Sequence, residues 1–496
     1  MCARHLALDL GSSSGKMLLG EVTNDRKIRL QEVGGFKTPR VWFNEHICID
    51  IFRAFEETAN ILSKLGSEGV HIDSFAADSW SSDFGIVNPQ GEPIGLPVFY
   101  RDWRTYGMPE EVERVIPYGE LYRLSTQRRM QDSTLCQLLA LKKEKPELLQ
   151  GGNRIMFLAD MLMYFFSHRV CSEITLASYS QLFSMEKKCW EDRVFKLFDI
   201  PTSIQPEVVN PCECLGRVTE KAAAWYGLNR FEIVAAAGHD TSSAVAAIPA
   251  EEGKNWAFIS TGSWFLVGME LEKPMNLDMC YRYNFSNTGL AFGKTMLKRN
   301  VTAMWILQEC MRSWQKRGIN YTYPEIHALA EKCRPFMAML DVDAIDFYNP
   351  DDMPVAICEY LKRSGQVELQ PDDVGAITRI VDEAIAFKCA YAINCLEKIT
   401  QRRLDTIYAV GGASAATVLN AMIADATNRE IITGPREATS IGNCLLQAVG
   451  CGEIASAQEL RQIVRNSTEL KRYAPVNPKP WMEIYEAYRQ FCRLEA

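Results

Sequence analysis

The chain has 496 residues, 47% of them hydrophobic, which is too long for one ordinary core and predicts two or more domains. Its 54 basic and 62 acidic residues leave a net charge of −8, which argues against general nucleic-acid binding and calls for no polyanionic partner. The opening Met1-Cys2-Ala3-Arg4-His5 lacks the apolar core of a signal peptide, and the longest apolar stretch, Met156 to Phe166, is too short to span a bilayer and contains Asp160, so a cytoplasmic protein with no membrane partner is expected.

The first legible element is a strand-turn-strand from Leu6 to Val22 around Asp9-Leu10-Gly11-Ser12-Ser13-Ser14-Gly15-Lys16. An apolar run, a turn of glycine and hydroxyl residues and a second apolar run read as a β-hairpin whose turn amides are left free. Met156 to Phe166 reads as a helix. The segment Ala237-Gly238-His239-Asp240-Thr241-Ser242-Ser243 places a carboxylate at a turn before an alanine-rich helical run, and Gly238 lets the backbone approach a ligand. Such a carboxylate suits the deprotonation of an alcohol during phosphoryl transfer, and it equally suits a helix N-cap.

Charge, glycine and proline then replace apolar residues where Ala244-Val245-Ala246-Ala247-Ile248 runs into Pro249-Ala250-Glu251-Glu252-Gly253-Lys254, as at a domain boundary. Just beyond it, Trp256 to Leu271 repeats the opening pattern around Ser260-Thr261-Gly262-Ser263. A repeat at half the chain length predicts duplicated domains with a cleft between them, and two facing turns of this kind would grip a phosphate chain. Ordinary hairpins in a large α/β protein would carry the same residues.

Ile377, Ile380, Val381, Ala384, Ile385, Ala392, Cys395, Leu396 and Ile399 recur at helical spacing and predict a long amphipathic helix. Thr406-Ile407-Tyr408-Ala409-Val410 reads as a short strand, followed by Gly411-Gly412-Ala413-Ser414 and a second helix through Asn428. That turn suits a phosphate or nucleotide, or a tight connection with no ligand. A proline-broken stretch from Ala474 to Pro480 precedes a last helix with Trp481, Tyr485 and Tyr488. Sixteen cysteines include no Cys-x-x-Cys pair, Cys212-Glu213-Cys214 stands alone, and six histidines are dispersed, so no zinc site is legible. Most cysteines, Cys389 and Cys395 among them, are expected as small apolar residues.

In order along the chain, Asp9-Leu10-Gly11-x-Ser13-Ser14-Gly15, Tyr100-Arg101-Asp102-x-Arg104-Thr105, Gln137-Leu138-Leu139-Ala140-Leu141-Lys142, Glu173-x-Thr175-x-Ala177-Ser178, Gly238-His239-Asp240-Thr241 and Gly434-Pro435-x-Glu437-Ala438-Thr439 resemble the carbohydrate kinases of the FGGY family. The resemblance runs over nearly the whole chain. It implies an α/β protein of two actin-like (ribonuclease H-like) domains with an interdomain catalytic cleft, residues 1–248 binding sugar and residues 254–496 binding nucleotide. The implied activity is ATP-dependent phosphorylation of the 1-hydroxyl of a ketose, with L-rhamnulose ahead of L-fuculose or another deoxyketose, and with Mg2+ as cofactor.

By the same resemblance Asp240 matches the catalytic base. Ser12, Ser13, Ser14, Gly15 and Lys16 match a first phosphate loop, Ser263 a second, and Gln308, Gly412 and Ala413 the nucleotide contacts. Ser81, His239, Asp240, Thr241 and Asn300 match sugar-binding positions, and Asp9 the acidic residue near the metal, through water. A magnesium ion held chiefly by phosphates and water needs few protein ligands.

The chain also departs from the family pattern. Trp80-Ser81-Ser82-Asp83 stands where similar kinases read Trp-Gly-Val-Asp, Lys16 replaces an arginine, Ala413 a third glycine and Ala415-Ala416 a Gln-Asn pair, and Asp132 follows Met130-Gln131 where an apolar residue and then asparagine are usual. Sugar preference is expected to feel Ser81 and Asp132, and nucleotide preference Ala413, Ala415 and Ala416. A second class, an actin-like ATPase that moves its domains to control a partner, also fits the duplicated turns. Asp240 separates the two readings, because such an ATPase needs no carboxylate aimed at an alcohol.

Overall fold

A computed structural model describes residues 3–495. The chain forms two compact units, each assembled from separated segments: residues 1–249, 270–297 and 437–468 make the first, and residues 250–269, 298–436 and 469–496 the second.

The first unit is built on a six-stranded sheet in the order β5-β6-β4-β1-β2-β3, where β1 is Arg4–Leu10, β2 Ser14–Val22, β3 Ile28–Lys37, β4 Ser74–Ser79, β5 Cys214–Arg217 and β6 Glu232–Val234. β1 and β2 form the expected hairpin, pairing Asp9 with Lys16 and Leu10 with Gly15. β4 lies parallel to β1, and β6 parallel to β4. Strands buried on both faces read as unbroken apolar runs, which is why Leu6-Ala7-Leu8 and Phe75-Ala76-Ala77 sit at the centre with no exposed surface.

A second, seven-stranded sheet repeats that order in its run β8-β7-β9-β10-β11, with β7 at Trp256–Thr261, β8 at Trp264–Leu271, β9 at Thr406–Gly411, β10 at Glu430–Thr433 and β11 at Lys471–Tyr473, and the strands Thr295–Thr302 and then Ser286–Gly289 continue it beyond β8. Again an antiparallel hairpin, β7 with β8, is followed by two parallel neighbours and an antiparallel edge. The duplication is what the paired hairpins predict, and its form is the actin-like arrangement that the family resemblance implies.

Two expectations change. Met156 to Phe166 is not one helix: Arg154–Phe157 pairs as a strand with Phe84–Val87, and the helix runs over Leu158–Ser167. The predicted long helix is present as Val374–Thr400, but it is buried on nearly every side, including Asp382, Glu383 and Lys388. It tolerates those charges because His327 Nδ1 meets Asp382 at 2.9 Å, Arg379 pairs with Glu383 at 2.5 Å, and Lys388 reaches Asp341 at 2.7 Å and Asp343 at 3.0 Å.

The cysteines described are all free, and Cys48, Cys136, Cys171, Cys280, Cys310, Cys389, Cys395 and Cys444 are buried, as small apolar residues are. Cys189, Cys214 and Cys451 are exposed instead. Among the described residues no helix is long and apolar enough to cross a membrane.

Candidate active site

The glycine and hydroxyl turn between β1 and β2 is held from one side. Thr38 Oγ1 donates to the Gly11 carbonyl at 2.5 Å, Arg40 Nη2 to the Ser12 carbonyl at 3.1 Å, and the Thr38 amide to the Ser13 carbonyl at 3.1 Å. In a trans peptide the N–H points opposite to the C=O, so the amides of Ser12, Ser13 and Ser14 turn to the other side, the geometry of an anion cradle. Ser13 and Ser14 are exposed and Gly15 is buried, where a Cβ would stand 2.7 Å from the Phe36 ring. Lys16 folds over to Glu437 Oε1 at 2.9 Å and Glu32 Oε2 at 3.3 Å.

Asp9 ends β1. Burial, then the charges of Asp240 and Glu437, push its carboxyl up to about 7, against a hydrogen bond with Asp78 and the charge of Lys16. The structure thereby gathers Asp9, Lys16 and Asp240, three residues singled out from the sequence, into one electrostatic neighbourhood with Glu437 and Asp78. Asp78 is fully buried beside Asp9 on β4, and burial together with the charge of Asp9 pushes it well above the carboxylate range. Its Oδ1 has no N–H or O–H donor among the described residues, as fits an oxygen that carries the proton and hydrogen-bonds to Asp9.

The other oxygen is fixed by a buried amide chain. Gln447 Nε2 donates to the Leu6 carbonyl at 3.0 Å and to Asn443 Oδ1 at 2.7 Å, and Asn443 Nδ2 donates to Asp78 Oδ2 at 2.6 Å. The Leu6 carbonyl can only accept, so it sets both amide orientations.

Asp240 opens the helix Asp240–Ala246 as its first residue, so it is not the N-cap weighed from the sequence; His239 holds that position and makes no side-chain capping hydrogen bond. The partly buried Asp240 accepts at Oδ1 from the Thr241 amide at 2.5 Å and from Thr241 Oγ1 at 3.1 Å. His239 and Thr241 are buried, and the His239 ring stacks on Tyr179 at 5.5 Å. The Gly238 carbonyl accepts from the Ser79 amide at 2.8 Å, tying this turn to the end of β4. A Cβ at Gly238 would stand 2.7 Å from a terminal methyl of the buried Leu176, which would have to shift to admit it.

Ser81 follows β4 and is buried. Its segment is organised by Asp83, which accepts from Trp80 Nε1 at 2.9 Å, the Tyr100 amide at 3.0 Å and Gln137 Nε2 at 2.9 Å. Burial still raises Asp83 to about 7. The Gln137 side chain is held in turn by Arg104 Nη2 at 3.0 Å. Gln137 Nε2 also reaches the Asp132 carbonyl, at 3.3 Å.

In the second unit Ser263 Oγ donates to Gln308 Oε1 at 2.9 Å, joining two of the predicted nucleotide residues. Lys298 Nζ, on a fully buried residue, donates to Asn300 Oδ1 at 3.2 Å. Gly411 has φ 94° and lies against the Thr261 carbonyl, 2.7 Å from where a Cβ would be. Gly412 is exposed, and Gly412–Ala415 form a short 3-10 turn before the helix Thr417–Thr427. Ser414 Oγ closes that turn on the Gly411 carbonyl at 2.6 Å.

No group of three or more His, Cys, Asp or Glu side chains among the described residues forms a metal cage. Asp9 offers hard oxygen chemistry, and its crowding by Asp240 and Glu437 is of the kind a divalent cation offsets.

Asp78 and Asn443 escaped the sequence reading, and Glu437 was quoted there without a role. The only sequence signal for Asp78 is a carboxylate closing the apolar run Phe75-Ala76-Ala77; its register with Asp9 comes from the strand pairing.

The family model for the FGGY family of carbohydrate kinases, N-terminal domain, matches residues 5–247, and that for the C-terminal domain matches residues 257–451. The chain is 31% identical over 493 residues to a rhamnulokinase of Bacteroides thetaiotaomicron, covering 99% of this chain and 100% of that protein. It is 30% identical over 491 residues to a rhamnulokinase of Ligilactobacillus salivarius, covering 99% of each. The fold is similar to that of a ligand-bound xylulose kinase from Lactobacillus acidophilus, with TM-score 0.80 at 13% identity over 99% of this chain and 98% of that one. It is likewise similar to Plasmodium falciparum glycerol kinase with ADP, with TM-score 0.78 at 16% identity over 100% of this chain and 99% of that one.

Proposed function

The chain belongs to the FGGY family of carbohydrate kinases, and from that premise we propose that it transfers the γ-phosphoryl group of ATP to the 1-hydroxyl of L-rhamnulose. The observation that carries the reading is Asp240: a partly exposed carboxylate at the first turn of a helix, close enough to Asp9 for its charge to raise that carboxyl. The curated relatives named rhamnulokinase, similar over the whole chain, support the choice of sugar.

In this reading Asp240 accepts the proton of the 1-hydroxyl as its oxygen bonds to the γ-phosphorus. The bond to the β–γ bridging oxygen breaks, and ADP leaves with that electron pair. The amides of Ser12, Ser13 and Ser14, the Gly15 turn and Lys16 meet phosphate charge with donors that need no reorganisation. Ser263 and Gln308, with Gly412 and Ala413, take the nucleotide. His239, Thr241, Asn300 and Ser81 orient the sugar hydroxyls, and only groups so placed make the attack effectively unimolecular. Asp9 would hold Mg2+ through water, and the ion would supply charge neutralisation on the phosphates. A cytoplasmic setting, where ATP is abundant, fits this chemistry.

ADP release measured over rhamnulose, fuculose, xylulose and ribulose tests the proposal. Rhamnulose should give the highest kcat/KM, and Asp240→Asn should lower turnover about 10²- to 10⁴-fold while retaining ATP binding. ADP release independent of any sugar would instead favour a nucleotide-driven, partner-binding ATPase.

A further inference from the structure

Immediately before Asp240, the amides of two successive residues are captured by a single buried pair. The Gly238 amide donates to Glu173 Oε2 at 2.8 Å, and the His239 amide donates to Thr175 Oγ1 at 2.9 Å. A hydroxyl has one proton, and Thr175 Oγ1 gives it to Glu173 Oε2. The Thr175 amide donates to both Glu173 oxygens, each at 3.0 Å. Every contact of the Glu173 carboxylate here is therefore with a donor, and both side chains are fully buried.

The support beneath them is rigid as well. The Glu173 amide reaches both oxygens of buried Asp160 at 3.3 Å, and the missing Cβ of Gly238 leaves room for Leu176 and for Glu173 Oε2, 3.2 Å from that position. The first amides of a helix otherwise lack partners, and here those just ahead of Asp240 are fixed by side chains some 65 residues upstream in the chain, as the Gly238 contact shows. A shift of the turn would move the Asp240 carboxylate with it, and a displacement of about 1 Å at a reacting group costs on the order of 10²-fold in rate.

We propose that Glu173 and Thr175 are positioning residues that aim Asp240 at the acceptor hydroxyl by holding the Gly238 and His239 amides. The inference rests on the reading of Asp240 as the base. Both side chains are fully buried and bonded within this turn, so their effect is expected in turnover.

A double-mutant cycle in steady-state ADP release, run with ATP and the best acceptor of the four ketoses, tests it. Thr175→Val keeps the volume and removes the hydroxyl. It should lower kcat about 10²-fold with both KM values changed less than about threefold, and Thr175→Ser should recover most of the loss. In an Asp240→Asn background the same Thr175→Val change should cost less than about twofold, because there is no base left to misaim. Equal losses in the two backgrounds, or a loss carried by KM, would overturn the positioning role and leave Asp240 standing. Undiminished turnover in Asp240→Asn alone would overturn the base assignment instead. Glu173→Gln, which keeps the shape and one acceptor oxygen, gives the same cycle if Thr175→Val does not fold, with the same non-additivity expected.

Discussion

Asp9 and Asp78 are direct neighbours on adjacent parallel strands, and the fully buried Asp78 presents one oxygen to Asp9 and the other to Asn443. Two carboxyls so placed cannot both ionise at modest cost, and burial together with the charge of Asp9 raises Asp78 well above the carboxylate range, which favours its neutral form. Asp78→Asn preserves that arrangement: the amide oxygen accepts from Asn443 and the amide nitrogen donates to Asp9. Its kcat should stay within about tenfold of the parent. Asp78→Ala strands the Asn443 amide and should destabilise the protein by about 1–3 kcal/mol. Denaturant melts beside ADP-release assays read both, and a larger loss in the Asn than in the Ala variant would contradict the neutral-acid account.

Ser81 is buried in a segment anchored by Asp83 to Trp80, Tyr100 and Gln137, so its hydroxymethyl group has little freedom to swing away. Ser81→Gly should shift the ratio of kcat/KM between rhamnulose and fuculose about 10-fold, or about 1.4 kcal/mol, and leave the KM for ATP nearly unchanged. An unchanged sugar ratio with an altered ATP KM would remove Ser81 from the sugar site.

Glu173 is raised by burial to about 7, against the hydrogen bonds from Thr175 and Gly238. The folded protein then holds a proton that the unfolded chain has lost between the ordinary glutamate range and about 7. Stability from this group is complete at low pH and is lost as pH rises through that window. The unfolding free energy should fall with pH more steeply in the parent than in Glu173→Gln, by on the order of 1–3 kcal/mol between pH ~5 and ~7.5. Parallel slopes in the two proteins would show that Glu173 is not the titrating group.

Gly411 and Gly412 are adjacent in sequence and opposite in requirement. At Gly411 the backbone has φ 94° and a Cβ would approach the Thr261 carbonyl to 2.7 Å, whereas at Gly412 a Cβ meets nothing within 4 Å. Gly411→Ala should cost about 1–3 kcal/mol of stability and raise the KM for ATP, while Gly412→Ala should leave stability within about 0.5 kcal/mol. Melting curves and ATP titrations of the two variants check the contrast, and equal effects would refute it.

Features written locally in the chain were the ones legible beforehand. Gly11-Ser12-Ser13-Ser14 and Gly262-Ser263 interrupt apolar runs, and hairpins follow at both places. Thr406 to Val410 before two glycines is a buried strand for the same local reason. The carboxyl arrangement around Asp9 was not legible, because Asp78 gains its meaning from strand register and Asn443 from a helix more than 360 residues away, as their hydrogen bond records. Nor did periodicity show that Asp382 and Lys388 are buried, since His327 and Asp341, which pair with them, come from other segments, whereas Glu383 is paired within the helix by Arg379.

Gly442 has a consequence for how the protein is made. A Cβ there would lie 1.8 Å from the Ser243 carbonyl, so the helix Ala438–Gly450 lies directly on the backbone of the helix that begins at Asp240. That covering helix belongs to the first compact unit yet is separated from it in the chain by most of the second. During synthesis the ribosome must therefore deliver nearly the whole second unit before the first can be closed, and contacts this distant in sequence are slow to form. A nascent chain released at residue 249 would carry the Asp240 turn with one face of its helix bare, a surface for chaperones rather than for sugar.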